Sequence, residues 1–198
     1  LQIDASGYAH ISYYTANDQY DLMYAYQDNQ GWHVQPVDTD NLVGSHTSLA
    51  LDTDGYPHIS YYYCGDTFFP SCDVQDLKYA YMDRDGWHVK TVDDTGQVGT
   101  YTSIDLDSSG NPHISYRDIG NQDLKYAYMD SDGWHIEVVD SEGDVGIYTS
   151  LVLGAYNSVH ISYFDKGSEK LKYAYKEGSG PPSLDYLVFV PMAISTDN

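Results

Sequence analysis

The stretch Asp76–Asp93 reads DLKYAYMDRDGWHVKTVD. In it Leu77, Tyr79 and Tyr81 alternate with Lys78, Ala80 and Met82. That is the period of a β-strand, whose successive side chains point to opposite faces. One face is bulky, the other slim with Ala at its centre, and neither is plainly solvated. DRDG at Asp83–Gly86 follows as a turn, in which Gly takes positive φ and Asp hydrogen-bonds its own backbone. WHVKTVD then returns as a second strand. Residues 76–93 are therefore read as a hairpin that expects cover on both faces.

Nearly the same words recur as DLKYAYMDSDGWHIEVVD at Asp123–Asp140. With more change they stand at Asp21–Asp38 (DLMYAYQDNQGWHVQPVD) and from Lys170 (KLKYAYKEGSGPPSLDYL). A second motif precedes each copy: LQIDASGYAHISYY from Leu1, LALDTDGYPHISYY from Leu49, IDLDSSGNPHISYR from Ile104 and LVLGAYNSVHISYF from Leu151. Tyr24, Tyr79, Tyr126 and Tyr173 are thus equivalent, at spacings of 55, 47 and 47 residues. The longer first spacing comes from extra residues around Cys64 and Cys72. Every copy holds short runs rich in Tyr, Ile, Val and Thr, which suit a pleated surface. No stretch sustains an apolar period of 3.6, so no helix is expected.

Repeats of this length, each a small antiparallel sheet, predict an all-β fold, a β-propeller of about four four-stranded blades. The blades fall at about 1–40, 45–93, 100–140 and 147–177, the bulky face of one against the slim face of the next. Buried Tyr hydroxyls need partners, which Ser60, Ser115, Ser162 and the repeated His could supply. Copy four lacks its GWH(V/I) strand. Residues 178–183 (GSGPPS) read as a linker and 184–198 as an apolar tail. The tail either returns as the fourth strand of its own blade or is donated to a neighbouring molecule. Donation would be head to tail and would build a fibre. Leu184, Tyr186, Leu187, Val188, Phe189 and Val190 would then carry assembly. The triplets HTS at His46 and YTS at Tyr101 and Tyr148 precede copies two to four, and Leu1 begins after where a fourth would stand. The chain is accordingly read as processed or partial, with four blades closing a ring or forming an arc of a larger one.

The pattern YTS-(I/L)-x-L-D, G-x-PHISY, LKYAYMD, GWH(V/I) resembles the repeat of secreted bacterial and archaeal β-propellers, loosely related to the BNR or Asp-box group. The likeness covers residues 1 to about 177. It implies the fold and not one function, since propellers host many. DTDGYPH and DRDGWHV lack the Thr-aromatic pair that follows the Gly of a true Asp-box.

Thirty acidic against nine basic residues leave a net charge of −21. Phosphate contacts need clustered Lys and Arg, so nucleic acid and acidic membranes are disfavoured as partners. Glu occurs only at Glu137, Glu142, Glu169 and Glu177, and the remaining acids are Asp, a turn residue. Twenty-two tyrosines argue against disorder. No 18-residue apolar run offers a membrane span. Cys64 and Cys72 suit a disulfide closing a local loop, which points to an extracellular or cell-surface location.

The Asp-box likeness implies sialidase chemistry, but three arginines are needed to clamp the substrate carboxylate and only Arg84 and Arg117 exist. Other glycosidases need one facing pair of carboxylates, whereas the Asp residues here recur at turns. His10, His58, His113 and His160 open second strands, and His33, His88 and His135 follow Trp; both sets read as hydrogen-bonded structural groups. No cofactor is required. Calcium is the one ion the turns suggest, with Asp52, Asp54, Asp83, Asp85, Asp130 and Asp132 as oxygen donors. Trp32, Trp87, Trp134, Tyr62 and Tyr63 offer flat surfaces to sugars or fill blade cores. Phe68 and Phe69, in the loop no other copy has, are candidates for contact with a sugar or a subunit. The expected function is a secreted, non-enzymatic structural protein assembling with copies of itself. The alternative is a cell-surface lectin binding carbohydrate, and a glycoside hydrolase stands third.

Overall fold

The computed structural model describes residues 1–16, 20–65 and 72–178, and the backbone of 190–191. The chain is all-β, in four four-stranded antiparallel sheets that follow one another along the sequence. The first holds β1 (Gln2–Ile3), β2 (Ala9–Tyr14), β3 (Leu22–Asp28) and β4 (Gly31–Asp38). The second holds β5 (Leu42–Leu51), β6 (Pro57–Cys64), β7 (Gln75–Asp83) and β8 (Gly86–Asp93). The third holds β9 (Val98–Leu106), β10 (Pro112–Asp118), β11 (Asp123–Asp130) and β12 (Gly133–Asp140). The fourth holds β13 (Ile147–Leu153), β14 (Val159–Asp165), β15 (Lys170–Lys176) and the short β16 (Val190–Pro191). Each sheet is a meander, every strand pairing with the next, as short connections favour.

The first strands lie closest together: β5 runs beside β9 and β9 beside β13. The sheets radiate from that line like propeller blades. No comparable packing joins the first sheet to the fourth among the described residues, so the arc is open. A row of rings marks the inner edge, with His46 4.6 Å from Tyr101 and Tyr101 4.9 Å from Tyr148. All three take left-handed φ, 53°, 54° and 53°, at the bulge where β5, β9 and β13 shift register against their partners. Just before each bulge stands a glycine. At Gly99, φ is +100° and an added Cβ would lie 2.5 Å from the Asp76 carbonyl oxygen. Only a residue without a side chain lets the third sheet press this close to the second.

The bulky-on-slim reading holds in detail. Leu22 and Tyr24 of the first sheet pack with Ile59, Tyr61 and Ala80 of the second. Leu77 and Tyr79 of the second pack with Ile114, Tyr116 and Ala127 of the third, and Leu124 and Tyr126 of the third with Ile161, Tyr163 and Ala174 of the fourth. Trp87 stands edge-on to Tyr24, and Trp134 to Tyr79, each at 5.5 Å.

Three expectations need correction or completion. Ser60 and Ser115 do not serve the tyrosines. Ser60 bonds Thr102 at 2.7 Å and Ser115 bonds Thr149 at 2.8 Å, tying inner strands of adjacent blades. The tyrosine hydroxyls go to His, or to Asp in the preceding blade. Among the described residues there is also one helical turn, a 3₁₀ turn at Ala155–Asn157. Elsewhere the first turn is held by an Asp carboxylate, as Asp52 Oδ1 accepts from the backbone N–H of Asp54 at 2.9 Å and of Tyr56 at 2.8 Å. Copy four has Gly154 there, and the turn closes instead through the Ser158 N–H to the Ala155 carbonyl. Finally, Val190 pairs with Tyr173 and Pro191 with Lys172. The outer edge of β15 is thus taken by the chain's own backbone. The other residues of 184–198 lie outside the described residues.

Candidate functional site

In a meander the β1–β2 and β3–β4 turns of a blade fall at the same end. The second sheet therefore brings DTDG and DRDG together on one rim. Between them lies an open cleft of about 470 Å³ lined by Asp52, Asp54, Tyr56, His58, Tyr81, Met82, Asp83, Arg84 and Asp85. Four of the six acids expected as metal donors converge here; Asp130 and Asp132 stand in the matching hairpin of the third sheet. Among the described residues no group of three His, Cys, Asp or Glu is arranged to hold a metal ion. Asp52 and Asp83 spend their Oδ1 atoms on their own turns, Asp83 accepting from the Asp85 N–H at 2.8 Å.

A run of rings forms the floor. Residues opposite one another on neighbouring strands share a face, so His58, Tyr81 and His88 line up across β6, β7 and β8. Tyr81 stacks on His88 at 4.8 Å and on His58 at 6.1 Å. Carboxylates hold both imidazoles. His88 Nε2 lies 2.9 Å from Asp83 Oδ1, an ion-pair approach rather than an aligned hydrogen bond, and His58 Nε2 lies 3.7 Å from Asp52 Oδ2. The Tyr79 hydroxyl is 2.5 Å from His58 Nδ1; with the ring proton assigned to Nε2, toward Asp52, the hydroxyl donates to Nδ1. Burial lowers the His58 pKa, against the pull of Asp52, and keeps the ring neutral near pH 7. Asp83 is held below the usual carboxylate range by His88 and by the Asp85 N–H.

The same arrangement stands twice more. The first sheet has Asp4, His10, Tyr26, His33 and Asp28, with Tyr26 4.8 Å from His33 and His33 3.0 Å from Asp28. The third has Asp107, His113, Tyr128, His135 and Asp130, with Tyr128 4.8 Å from His135 and His135 2.9 Å from Asp130. In the fourth the acid gives way to Gly154, and His160 bonds Ser158 at 3.1 Å and Tyr173 at 2.6 Å. Three full sets of rings and carboxylates and one lacking its acid thus share a rim.

Cys64 and Cys72 are disulfide-bonded. At the opposite rim they wall a cavity of about 230 Å³ with Tyr14, Tyr20, Leu42 and Tyr62. Phe68 and Phe69, and of the tail candidates Leu184, Tyr186, Leu187, Val188 and Phe189, lie outside the described residues. Among those described, no helix is long and apolar enough to cross a membrane.

The sequence reading missed the groups that join blades at this opposite rim. Asp38, Asp93 and Asp140 end the fourth strands and accept from Tyr61, Tyr116 and Tyr163 of the next blade at 2.6, 2.7 and 2.8 Å. Lys78, Lys125 and Lys172 reach the same carboxylates at 3.5, 2.6 and 3.1 Å. The signal was present as the recurring VD that closes each hairpin and the Lys of LKYAY. It pointed nowhere because the partners are 23 residues apart for Asp–Tyr and 32 to 40 for Asp–Lys, in different repeats.

No family model and no curated protein sequence matches the chain. Solved structures do. A PL25 ulvan lyase matches at TM-score 0.54 and 14% identity, over 88% of this chain and 50% of its own. The polysaccharide lyase Uly1 matches at 0.53 and 12%, over 97% of this chain and 49% of its own. A fucose lectin from Kordia zhangzhouensis matches at 0.47 and 19%, over 74% of this chain and 99% of its own. At these identities the likeness describes the fold alone. The chain spans about half the length of the lyases it matches.

Proposed function

We propose that the protein is an extracellular, non-catalytic carbohydrate-binding propeller whose clefts bind glycans along one rim. The observation that carries this reading is the ring-and-carboxylate arrangement that lines the second sheet's cleft and recurs in the first and third sheets at the same five positions. Half-buried rings give apolar edges to the C–H faces of a sugar. Fixed carboxylates and imidazoles supply acceptors and donors for its hydroxyls. A net charge of −21 opposes acidic polysaccharides, so the class expected is neutral or amino-sugar glycans. Repetition favours binding over catalysis, because an active site is needed once and weak equal sites gain by avidity. The lyases named above act on polysaccharides, which agrees in kind with this reading. The Cys64–Cys72 disulfide agrees with an oxidising compartment.

The test is a glycan array followed by calorimetry on soluble oligosaccharides. Binding of at least one neutral or amino-sugar glycan is expected, with several sites per chain. Replacing Tyr81 and His88 by Ala should remove one site, and replacing Tyr26 and His33 and Tyr128 and His135 as well should lower binding about tenfold or more. Absence of any such binding, or binding indifferent to equivalent replacements in all three clefts, defeats the reading.

A structural, self-assembling role is the second reading. It is favoured by a separate observation, the two uncovered sheet faces at the ends of the arc.

A further inference from the structure

Every internal joint uses one recipe. The bulky face of a blade receives Ile, Tyr and Ala of the next blade's slim face, and in two of the three joints a Trp as well. In the second, third and fourth sheets the slim-face Ile59, Ile114 and Ile161 are at most 2% exposed, and Tyr61, Tyr116 and Tyr163 are 0%. The equivalent Ile11 and Tyr13 of the first sheet are half-exposed. Trp32, in the register of Trp87 and Trp134, is 54% exposed, and Ile3, on the same face at the sheet's other edge, is 58%. At the other end the bulky face of the fourth sheet is open. Leu171, Tyr173 and Tyr175 are partly exposed, whereas Tyr24, Tyr79 and Tyr126 lie at 1–3%, and Val152 on the same face is 57% exposed.

We propose that these two faces dock on each other between two copies of this chain, head to tail, the first sheet of one copy against the fourth sheet of the next. The occupant is argued from the internal joints: each end face already has its complement in the same chain, and the same pairing is made three times within it. One substitution fits this assignment. Position 23 is Met where the other copies have Lys78, Lys125 and Lys172. Those lysines reach the preceding blade's Asp, and the described residues of β16, Val190 and Pro191, supply none. A Lys at position 23 would be buried against an apolar face with no counter-ion, a costly arrangement that Met avoids. The joint between copies thus keeps the Trp–Tyr half of the recipe and drops the Asp–Lys half. Because unlike faces meet, the contact grows until the arcs close on themselves or extend as a thread.

Sedimentation velocity on the full 198-residue chain, from low to high micromolar, tests this. Concentration-dependent association is expected. Trp32→Ala on one face and Val152→Lys on the other, both at exposed positions, should each raise the dissociation constant about tenfold or more while far-ultraviolet dichroism is unchanged. Mixing the two variants should restore pairing, since each keeps the face the other has lost, and should stop at dimers. A wild-type chain that stays monomeric throughout overturns the proposal. So does association that survives both variants and is lost only on deleting residues 179–198, which would assign it to the tail. Glycan binding by the rim clefts is read independently and does not enter these outcomes.

Discussion

The hydroxyl of Tyr116 donates to Asp93 Oδ2 across the joint between the second and third blades, at 2.7 Å, where Asp93 is 2% exposed. Lys125 reaches the same oxygen at 2.6 Å. Burial works against the charged carboxylate, but the Lys125 ammonium and the Tyr116 hydroxyl outweigh it and hold the Asp93 pKa below its usual value. Asp93→Asn should therefore cost about 3 kcal/mol, because it leaves the buried ammonium to the more distant Asp118 carboxylate at 3.9 Å. Asp93→Asn with Lys125→Met should cost less than the single change. Urea unfolding of the two variants decides it; equal losses would show that the pair is not coupled.

Gly99 combines positive φ with a backbone contact that no Cβ could share. Gly99→Ala should destabilise by about 3 kcal/mol. Gly55, also at positive φ but with nothing within 4 Å, should lose less on the same change. Thermal melting of both separates strain from collision.

Trp134 and Trp32 are the same residue at the same register with different neighbours. Trp134→Ala removes the edge contact to Tyr79 and should cost about 2 kcal/mol. In dilute, monomeric protein Trp32→Ala should change stability by less than about 0.5 kcal/mol. A large loss at Trp32 under those conditions would mean that its face is covered within the chain.

Stability should fall on acidification in two steps. Burial lowers the pKa of His46, His58 and His113 beneath the usual imidazole value of about 6.5, so the unfolded chain takes up protons first and stability drops as pH falls below it. Asp93, Asp107 and Asp165 are lowered from 3.8, where hydrogen bonds to the carboxylates overcome burial, and their contribution is lost at lower pH still. Asp76 and Asp123, raised by burial and neighbouring acids, oppose this second step but are fewer. Urea midpoints measured from pH 8 to pH 3 at constant salt should show both declines. Replacing His46, His58 and His113 by Gln should flatten the first, and a midpoint rising between pH 6.5 and 5 would contradict the assignment.

The repeat and its period of two were legible in the chain, because strand alternation is local and four copies in register repeat the same instruction. Tyr79 and Ala80 stood on opposite faces in the sequence as they do in the fold. The turns at Asp52 and Asp83 were legible for the same reason, since an Asp carboxylate bonding its own backbone reaches only a few residues. What Asp93 does was not legible. Its partners come from the next repeat, and only the stacking of sheets brings a strand end against a buried Tyr and Lys. The clefts are of the same kind: the sequence listed Asp, His and Tyr as separate recurring letters, and the meander placed them on one rim as a floor of rings between carboxylates. Local residue chemistry determined the blade. The open arc, the uncovered Trp32 and Tyr173 faces and the shared rim were decided by tertiary packing, where long-range contacts settle which surfaces find cover.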